Sequence, residues 1–205
     1  METAIRIREK AEELFWLYGI RSITMDEISS QMGISKKTIY LHYKDKDELV
    51  SAVTEEKIRF SQAQCKKDAS EAANAIDEIF RSIEFIGVMF RNMSPSIVFD
   101  LKKFHPKAFQ KVVDYKYRFL MEMVRKNIER GIREELYHPE INSEVLTRFR
   151  LENMFLAFNP EVFPPSKFNI LSVQTEMLEH FLYGVASLKG HKLILKYKNQ
   201  RINQS

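Results

Sequence analysis

The side chains best suited to bind another molecule are the amine, hydroxyl and imidazole groups found between residues 35 and 46. Residues 36–46 contain four lysines and a single acid, Asp45. Such groups donate hydrogen bonds to phosphate oxygens and to the acceptor edges of bases. The positive charge is local, because residues 1–55 as a whole hold eight basic and ten acidic side chains. This concentration of donors indicates a surface for double-stranded DNA.

The chemistry of each side chain favours a particular contact with DNA. Lys37 could donate to guanine acceptors, while Thr38 and Leu41 could touch a thymine methyl group. Ser35 and Lys36 could each read a base edge or hold a phosphate. The remaining donors suit phosphate oxygens, because contacts there fix register without carrying sequence information. These donors are Tyr40, His42, Lys44 and Lys46.

Two short helices joined by a tight turn are predicted to position these side chains. Thr24 followed by Glu27 is a capping box, which predicts a helix that starts at Met25. Gly33 can end this helix because glycine adopts the left-handed backbone conformation without a steric penalty. Ser35 then caps a second helix. Two helices joined in this way form a helix-turn-helix, whose second helix enters the major groove.

A third helix follows the motif. Asp45 with Glu48 forms another capping box and predicts a long helix that begins at Lys46. Lysines at this end oppose the helix dipole. Because helix N-termini bind anions, we expect Lys44 and Lys46 to lie beside a bound phosphate.

The stretch LFWLYGIRSIT followed by MDEISSQMGISKKTIYLHYKDKDELV resembles the DNA-binding domain of the TetR family of bacterial transcriptional regulators. The resemblance covers about the first fifty residues. The residues that it places on phosphates are Thr24, Tyr40, His42 and Lys46. Those that it places at base edges are Ser35, Lys36, Lys37, Thr38 and Leu41. Lys37 departs from the small residue often found in the family, and Tyr43 replaces the more usual phenylalanine.

Composition limits the remaining classes. With 44% apolar residues, the 205-residue chain can form a substantial core. A single cysteine cannot form an internal disulfide, and the N-terminus METAIRIREKAEEL is charged where a secretory signal would be apolar. No stretch approaches the roughly 18 to 20 apolar residues of a membrane span. We therefore expect a cytoplasmic protein without membrane contact.

Apolar residues recur at helical spacing through nearly the whole chain, which predicts an all-α fold of about nine helices. We assign residues 1–60 to a helix-turn-helix DNA-binding domain and residues 61–190 to a helical ligand-binding and dimerisation domain. Residues 191–205 are assigned to a basic C-terminal tail, since residues 189–205 hold five basic side chains and no acid. We expect this tail to be loose and solvated. Residues 143–158 and 169–188 are expected to form a two-fold, four-helix interface.

A small apolar ligand is expected inside the second domain. The resemblance implies a ligand-sensing C-terminal domain, and phenylalanine and methionine make adaptable apolar walls. The candidate lining residues are Phe80, Met89, Phe90, Met93, Phe119, Met123, Phe149 and Met154.

Enzyme chemistry is not expected. The five histidines are scattered, and none has a histidine or cysteine partner at metal-ligand spacing. No glycine-rich phosphate loop is present, so neither a metal nor a cofactor is expected. The leading hypothesis is a homodimeric DNA-binding transcriptional regulator, a ligand-responsive repressor on a palindromic operator. The alternative is a helical dimeric scaffold or interaction protein without specific DNA binding.

Overall fold

The computed structural model describes residues 2–202, which form eleven α-helices and one π-helical segment. The helices are α1 (Glu2–Tyr18), α2 (Met25–Met32), α3 (Lys36–Tyr40), α4 (Lys46–Glu71), α5 (Ala75–Phe90), α6 (Ile97–Phe104), α7 (Pro106–Asp114), α8 (Met121–Arg133), α9 (Ser143–Leu156), α10 (Ile170–Val185) and α11 (Leu188–Ile202). The π-helical segment is Tyr115–Leu120. Within residues 2–202 the only β pairing is an isolated bridge between Tyr137 and Ala186. The predicted all-α class is confirmed.

The predicted number of nine helices is too low for two reasons. The apolar spacing between Pro106 and Gly131 is that of one continuous helix, but the π-helical segment divides this stretch into α7 and α8. The second reason is α11, which occupies most of the expected loose tail. Among residues 2–202, no helix is both long and apolar enough to cross a lipid bilayer.

The described chain divides into two compact units. The first contains residues 2–61 and 92–115, and the second contains residues 62–91 and 116–202. The break within α4 lies beside the expected domain boundary at residue 60. Residues 92–115 belong to the first unit, however, whereas the sequence assignment put them into the second domain. The division of function between two domains remains a prediction.

The core of the first unit surrounds the helix-turn-helix. Ile7, Ala11, Leu14 and Phe15 of α1 are buried at helical spacing, which gives this helix one apolar face. Ile39 of α3 is fully buried. The short α3 is therefore held by its inner side, while its outer side is left to solvent.

Residues 92–115 are fixed to the rest of the first unit by polar contacts. The Ser94 amide donates to the Trp16 carbonyl at 2.7 Å, and the Arg21 amide donates to the Asp100 carboxylate at 3.0 Å. His105 is buried, and its Nδ1 lies 2.5 Å from the carboxylate of Asp47 in the first turn of α4. These contacts join α6 and the start of α7 to the turn before α2 and to the start of α4.

The second unit has an apolar core between α5, α8, α10 and α11, with a buried polar network beside it. Asn127 Nδ2 donates to the Ala75 carbonyl at 3.0 Å, and the Tyr137 hydroxyl donates to Asn127 Oδ1 at 3.1 Å. Arg130 of α8 lies 3.4 Å from the carboxylate of Glu78. These bonds fix the start of α5 to α8.

The expectation of a loose C-terminal tail is wrong for residues 191–202, which lie in α11. Ile194 is buried, and the Tyr197 hydroxyl accepts a hydrogen bond from Asn74 Nδ2 at 2.8 Å. Two of the basic side chains pair with acids of other helices, Lys198 with Glu179 at 2.6 Å and Arg201 with Glu84 at 2.7 Å. The charge that suggested solvation therefore docks this helix. Residues 203–205 lie outside the described residues.

Candidate nucleic-acid interface

The first helix of the motif, α2, begins at the predicted capping box. The Glu27 amide donates to the Thr24 hydroxyl at 3.1 Å, and the Thr24 amide donates to the Glu27 carboxylate at 2.6 Å. The hydrogen bond from the Thr24 backbone lowers the pKa of Glu27, so this carboxylate is charged at neutral pH. The predicted helix start at Met25 is confirmed. Thr24 itself remains exposed.

The turn between α2 and α3 depends on Gly33. Its φ of 64° is in the left-handed region that favours glycine. The Gly33 amide donates to the Ser30 carbonyl at 3.1 Å, and the Ile34 amide donates to the Ser29 carbonyl at 3.1 Å. These bonds satisfy the last carbonyls of α2 and reverse the chain within three residues.

The second helix of the motif, α3, is capped at its start and anchored just beyond its end. The Thr38 amide donates to the Ser35 hydroxyl at 3.1 Å, as the sequence predicted. Ile39 packs inward, and the Tyr43 hydroxyl donates to the Ala4 carbonyl at 3.0 Å. Positions 36, 37, 40 and 41 consequently share the outward side of this helical turn.

Eight of the ten residues expected to contact DNA are exposed, and Thr38 and Lys46 are partly buried. The exposed ones are Thr24, Ser35, Lys36, Lys37, Tyr40, Leu41, His42 and Lys44. Leu41, just beyond the end of α3, has 73% of its surface exposed. The individual base and phosphate contacts remain predictions.

Lys36 has an acidic partner that the sequence did not reveal. Its ammonium lies 2.7 Å from the carboxylate of Asp26 in α2. The hydrogen bond that Lys36 donates to Asp26 raises the pKa of Lys36. The charge of Lys36 is thus partly balanced, whereas Lys37 forms no ion pair among the described residues and projects its full charge.

The two lysines around the start of α4 differ in their surroundings. Lys44 is exposed, and its amide donates to Glu48 at 2.7 Å, while the Glu48 amide donates to Asp45 at 2.8 Å. The predicted capping box is thus displaced, because Glu48 reaches the amide of Lys44 rather than that of Asp45. Lys46 folds back, with its ammonium 3.5 Å from the Arg21 carbonyl. Burial lowers the pKa of Lys46. Because the ammonium is folded back, this side chain would have to turn outward to reach a phosphate.

The residues expected to line a ligand site are divided between the two units. Met93 lies in the first unit, and the other seven lie in the second. Phe80 belongs to the core and packs on Tyr197 at a ring distance of 5.6 Å. Phe149 is 52% exposed, so it does not line an enclosed space within this chain. The other five candidates in the second unit are partly buried: Met89, Phe90, Phe119, Met123 and Met154. The ligand site remains a prediction.

The apolar spacing of α9 does not mark its interior face. Val145 and Phe149 belong to that spacing, but both are exposed. Thr147, Arg150 and Leu151 are buried instead. The signal for a buried Arg150 was its position four residues after Leu146 and four before Met154, where an apolar residue would normally continue the stripe. Within residues 2–202, no three histidine, cysteine or acidic side chains meet in a way that could hold a metal ion.

The fold of the first unit and the outward side of α3 are those of a helix-turn-helix motif. Residues 7–53 match the family model described as bacterial regulatory proteins of the tetR family. The HTH-type transcriptional regulator YvaF of Bacillus subtilis (strain 168) is 29% identical over 90 residues, which are 43% of this chain and 47% of that protein. An HTH-type transcriptional regulator of Staphylococcus aureus (strain USA300) is 42% identical over 48 residues, 23% of this chain and 26% of that protein. Residues 7–53 of this chain are therefore similar to bacterial regulatory proteins of the tetR family.

These curated relatives are matched over about half of their length or less. Solved structures match over nearly the whole chain, but at low identity, so they show the fold alone. A transcriptional regulator from Cytophaga hutchinsonii has a TM-score of 0.69 at 21% identity, covering 89% of this chain and 98% of that one. A transcriptional regulator from Saccharomonospora viridis, solved in complex with choline, has a TM-score of 0.72 at 14% identity, covering 91% and 98%.

Proposed function

We propose that this protein is a ligand-responsive repressor that binds a palindromic operator as a homodimer. The observation that carries the proposal is the construction of α3, whose inner residue Ile39 is fully buried while Lys37 and Leu41 face outward. A five-residue helix held in this way offers its outer side to the major groove. Lys37 and Leu41 would read base edges, and Lys44, Tyr40 and His42 would hold phosphates.

Dimerisation is supported by the outer faces of α9 and α10. Val145, Phe149 and Leu156 are exposed apolar side chains on one side of α9. On α10, a Cβ atom at Gly184 would meet no atom within 4 Å, so this part of the helix is open to close approach. Such faces favour a two-fold, four-helix contact between copies. A dimer would place two copies of α3 about 34 to 36 Å apart, one turn of DNA.

The ligand response is supported by the class of protein and by the helical second unit. The similarly folded Saccharomonospora regulator was solved with choline, so this architecture can hold a small molecule. For this chain we propose a small, largely apolar ligand within the second unit. By linkage, a ligand that weakens operator binding tenfold must itself bind the operator complex tenfold more weakly, a coupling of about 1.4 kcal/mol.

The decisive experiment is selection of genomic fragments by the purified full chain, followed by fluorescence anisotropy on the enriched sequence. We expect an enriched palindrome whose affinity falls as salt rises, since phosphate contacts release counterions. Sedimentation of the protein alone and with the duplex should give one dimer per operator. If all fragments are recovered equally, the protein is instead a helical scaffold without specific DNA binding.

A further inference from the structure

Arg150 in the middle of α9 is a buried cation. Only 4% of its surface is exposed, and its Nη1 atom is buried without a hydrogen-bond partner in the described residues. Its guanidinium lies over the ring of Phe181, 5.8 Å from the centroid. Burial lowers the pKa of Arg150 to about 10, so the group is still positively charged at neutral pH. A positive charge is therefore held inside the second unit, and none of the described acids forms an ion pair with it.

A second unpartnered polar group lies one helical turn away. Thr147 is 2% exposed, and its hydroxyl oxygen is buried with no hydrogen-bond partner among residues 2–202. Positions 147, 150, 151 and 154 fall on one face of a helix. Leu151 on this face is fully buried, and Met154 is partly buried. The face thus combines a cation and a hydroxyl with apolar side chains.

Lys116, the other strongly buried cation of the second unit, differs from Arg150 in having an acidic partner. It is 7% exposed, but its ammonium lies 2.7 Å from the carboxylate of Glu152. It also lies over the ring of Phe155 at 4.6 Å. Buried charges are normally paired in this way, because removal from water is otherwise strongly unfavourable. Arg150 lacks such a carboxylate, which indicates that its partner is supplied from outside the chain.

We infer that Arg150 and Thr147 form the recognition site for an anionic group, a carboxylate or a phosphate monoester, at one end of an otherwise apolar ligand. A guanidinium donates two parallel hydrogen bonds to such an anion, and the threonine hydroxyl can donate a third. The apolar body of the ligand would lie against side chains such as Leu151, Met154 and Phe181. This inference rests on the proposed ligand response and adds a charged head to the apolar ligand described above.

The test uses octanoate, dodecanoate and hexadecanoate, with the alkyl phosphates and alcohols of matching length as probes for calorimetric titration of the full chain. We expect at least one anion to bind more tightly than its alcohol, and the better class of anion identifies the head group. Arg150→Met should weaken binding of that anion by about tenfold to a hundredfold, which is the contribution of a charge-assisted hydrogen-bonded pair. Thr147→Val should weaken the same binding by several-fold. The control is Arg148→Met, which removes an exposed arginine paired with Glu144 on the same helix. It should leave binding unchanged.

The melting temperature of the variants separates recognition from a structural role. Without ligand, Arg150→Met should melt at a higher temperature than the natural protein, because an unpaired buried charge is removed. Arg150→Lys keeps the charge but loses the paired donors, so its affinity should be intermediate. The inference is overturned if no anion binds more tightly than its alcohol, if Arg150→Met binds the anion as well as the natural protein, or if it melts at a lower temperature.

Operator binding, measured with the same probes, distinguishes this inference from the proposed function. Anions that bind through Arg150 without changing operator affinity would support the site and contradict ligand-responsive repression. A neutral probe that releases the operator, while no anion binds, would support repression and overturn the anion site.

Discussion

The ammonium of Lys36 and the carboxylate of Asp26 lie 2.7 Å apart, which joins the first residue of α3 to the first turn of α2. Both side chains are exposed. A negative charge is thus held beside the helix that is proposed to enter the major groove. In a complex, Lys36 must either keep this pair or exchange it for DNA.

Replacing Asp26 should therefore strengthen DNA binding. In Asp26→Asn, Lys36 loses its acidic partner and becomes available to phosphate, so affinity should rise several-fold for all sequences. The slope of log affinity against log salt should steepen by about 0.9 for the added phosphate contact. Glu13→Gln is the matched control, since Glu13 pairs with Lys10 on α1. An unchanged slope in Asp26→Asn would mean that Lys36 makes no phosphate contact.

Lys37 and Lys44 are both exposed lysines, but their positions predict different effects. Lys37 lies on the outward side of α3, so Lys37→Ala should reduce discrimination at one base pair by about 1 to 3 kcal/mol. Lys44 precedes α4, so Lys44→Ala should weaken binding to all DNA sequences alike. It should also flatten the slope of log affinity against log salt by about one unit. Binding to the selected operator and to single-base variants, measured over a range of salt, compares the two. The roles are wrongly assigned if both variants lose specificity equally.

Glu78 should make stability depend on pH in a direction opposite to that of most paired carboxylates. Burial is the main cause that raises the pKa of Glu78, against the opposing effects of Asn127 and Arg130. The folded pKa is above the unfolded value, so stability is lost as pH rises from the ordinary carboxyl pKa of about 4.3 through the raised folded value. Relative to Glu78→Gln, the natural protein should become less stable in urea unfolding across this window.

Glu122 provides the control for this measurement. The hydrogen bond from Arg125 lowers the pKa of Glu122, which is exposed on α8. The contribution of Glu122 to folding stability is present above the ordinary carboxyl pKa and is lost as pH falls. Glu122→Gln should therefore show a small change in the pH dependence of stability, opposite in sign to that of Glu78→Gln. Identical pH profiles for the two variants would contradict the assigned cause.

The exposed apolar side of α9 predicts the dimer contact. Phe149→Gln should raise the dimer dissociation constant by at least tenfold, because a large apolar side chain near the centre of an interface contributes about 2 kcal/mol or more. Arg148→Gln changes the neighbouring exposed residue and should leave assembly unchanged. Sedimentation over a range of concentrations measures both. Equal dissociation constants would place the contact elsewhere.

The helix-turn-helix could be predicted closely because its determinants are local. Thr24, Glu27, Gly33 and Ser35 each act through backbone groups a few residues away, so their spacing contains the information. The pair between Lys36 and Asp26 could not be predicted, because it depends on how α3 docks against α2.

Apolar spacing alone points to the wrong interior face of α9, because the usual rule assumes that apolar side chains face the core of their own chain. Phe149 and Val145 are exposed, while Arg150 is buried, so the rule fails on both sides of this helix. Helix α11 was missed for another reason. Its lysines suggested a solvated tail, although the spacing of Leu193, Ile194 and Tyr197 already marks one helical face.

The π-helical segment Tyr115–Leu120 has a consequence for the length of the chain. A π turn holds more residues than an α turn, so one residue can be removed from this segment by conversion to α-helix. Each flanking helix would then keep its own packing. The same deletion within α5 would rotate every following side chain of that helix by about 100° and turn its apolar face away from the core. Residues 115–120 are therefore the stretch of this long helical region where the deletion of a single residue is best tolerated.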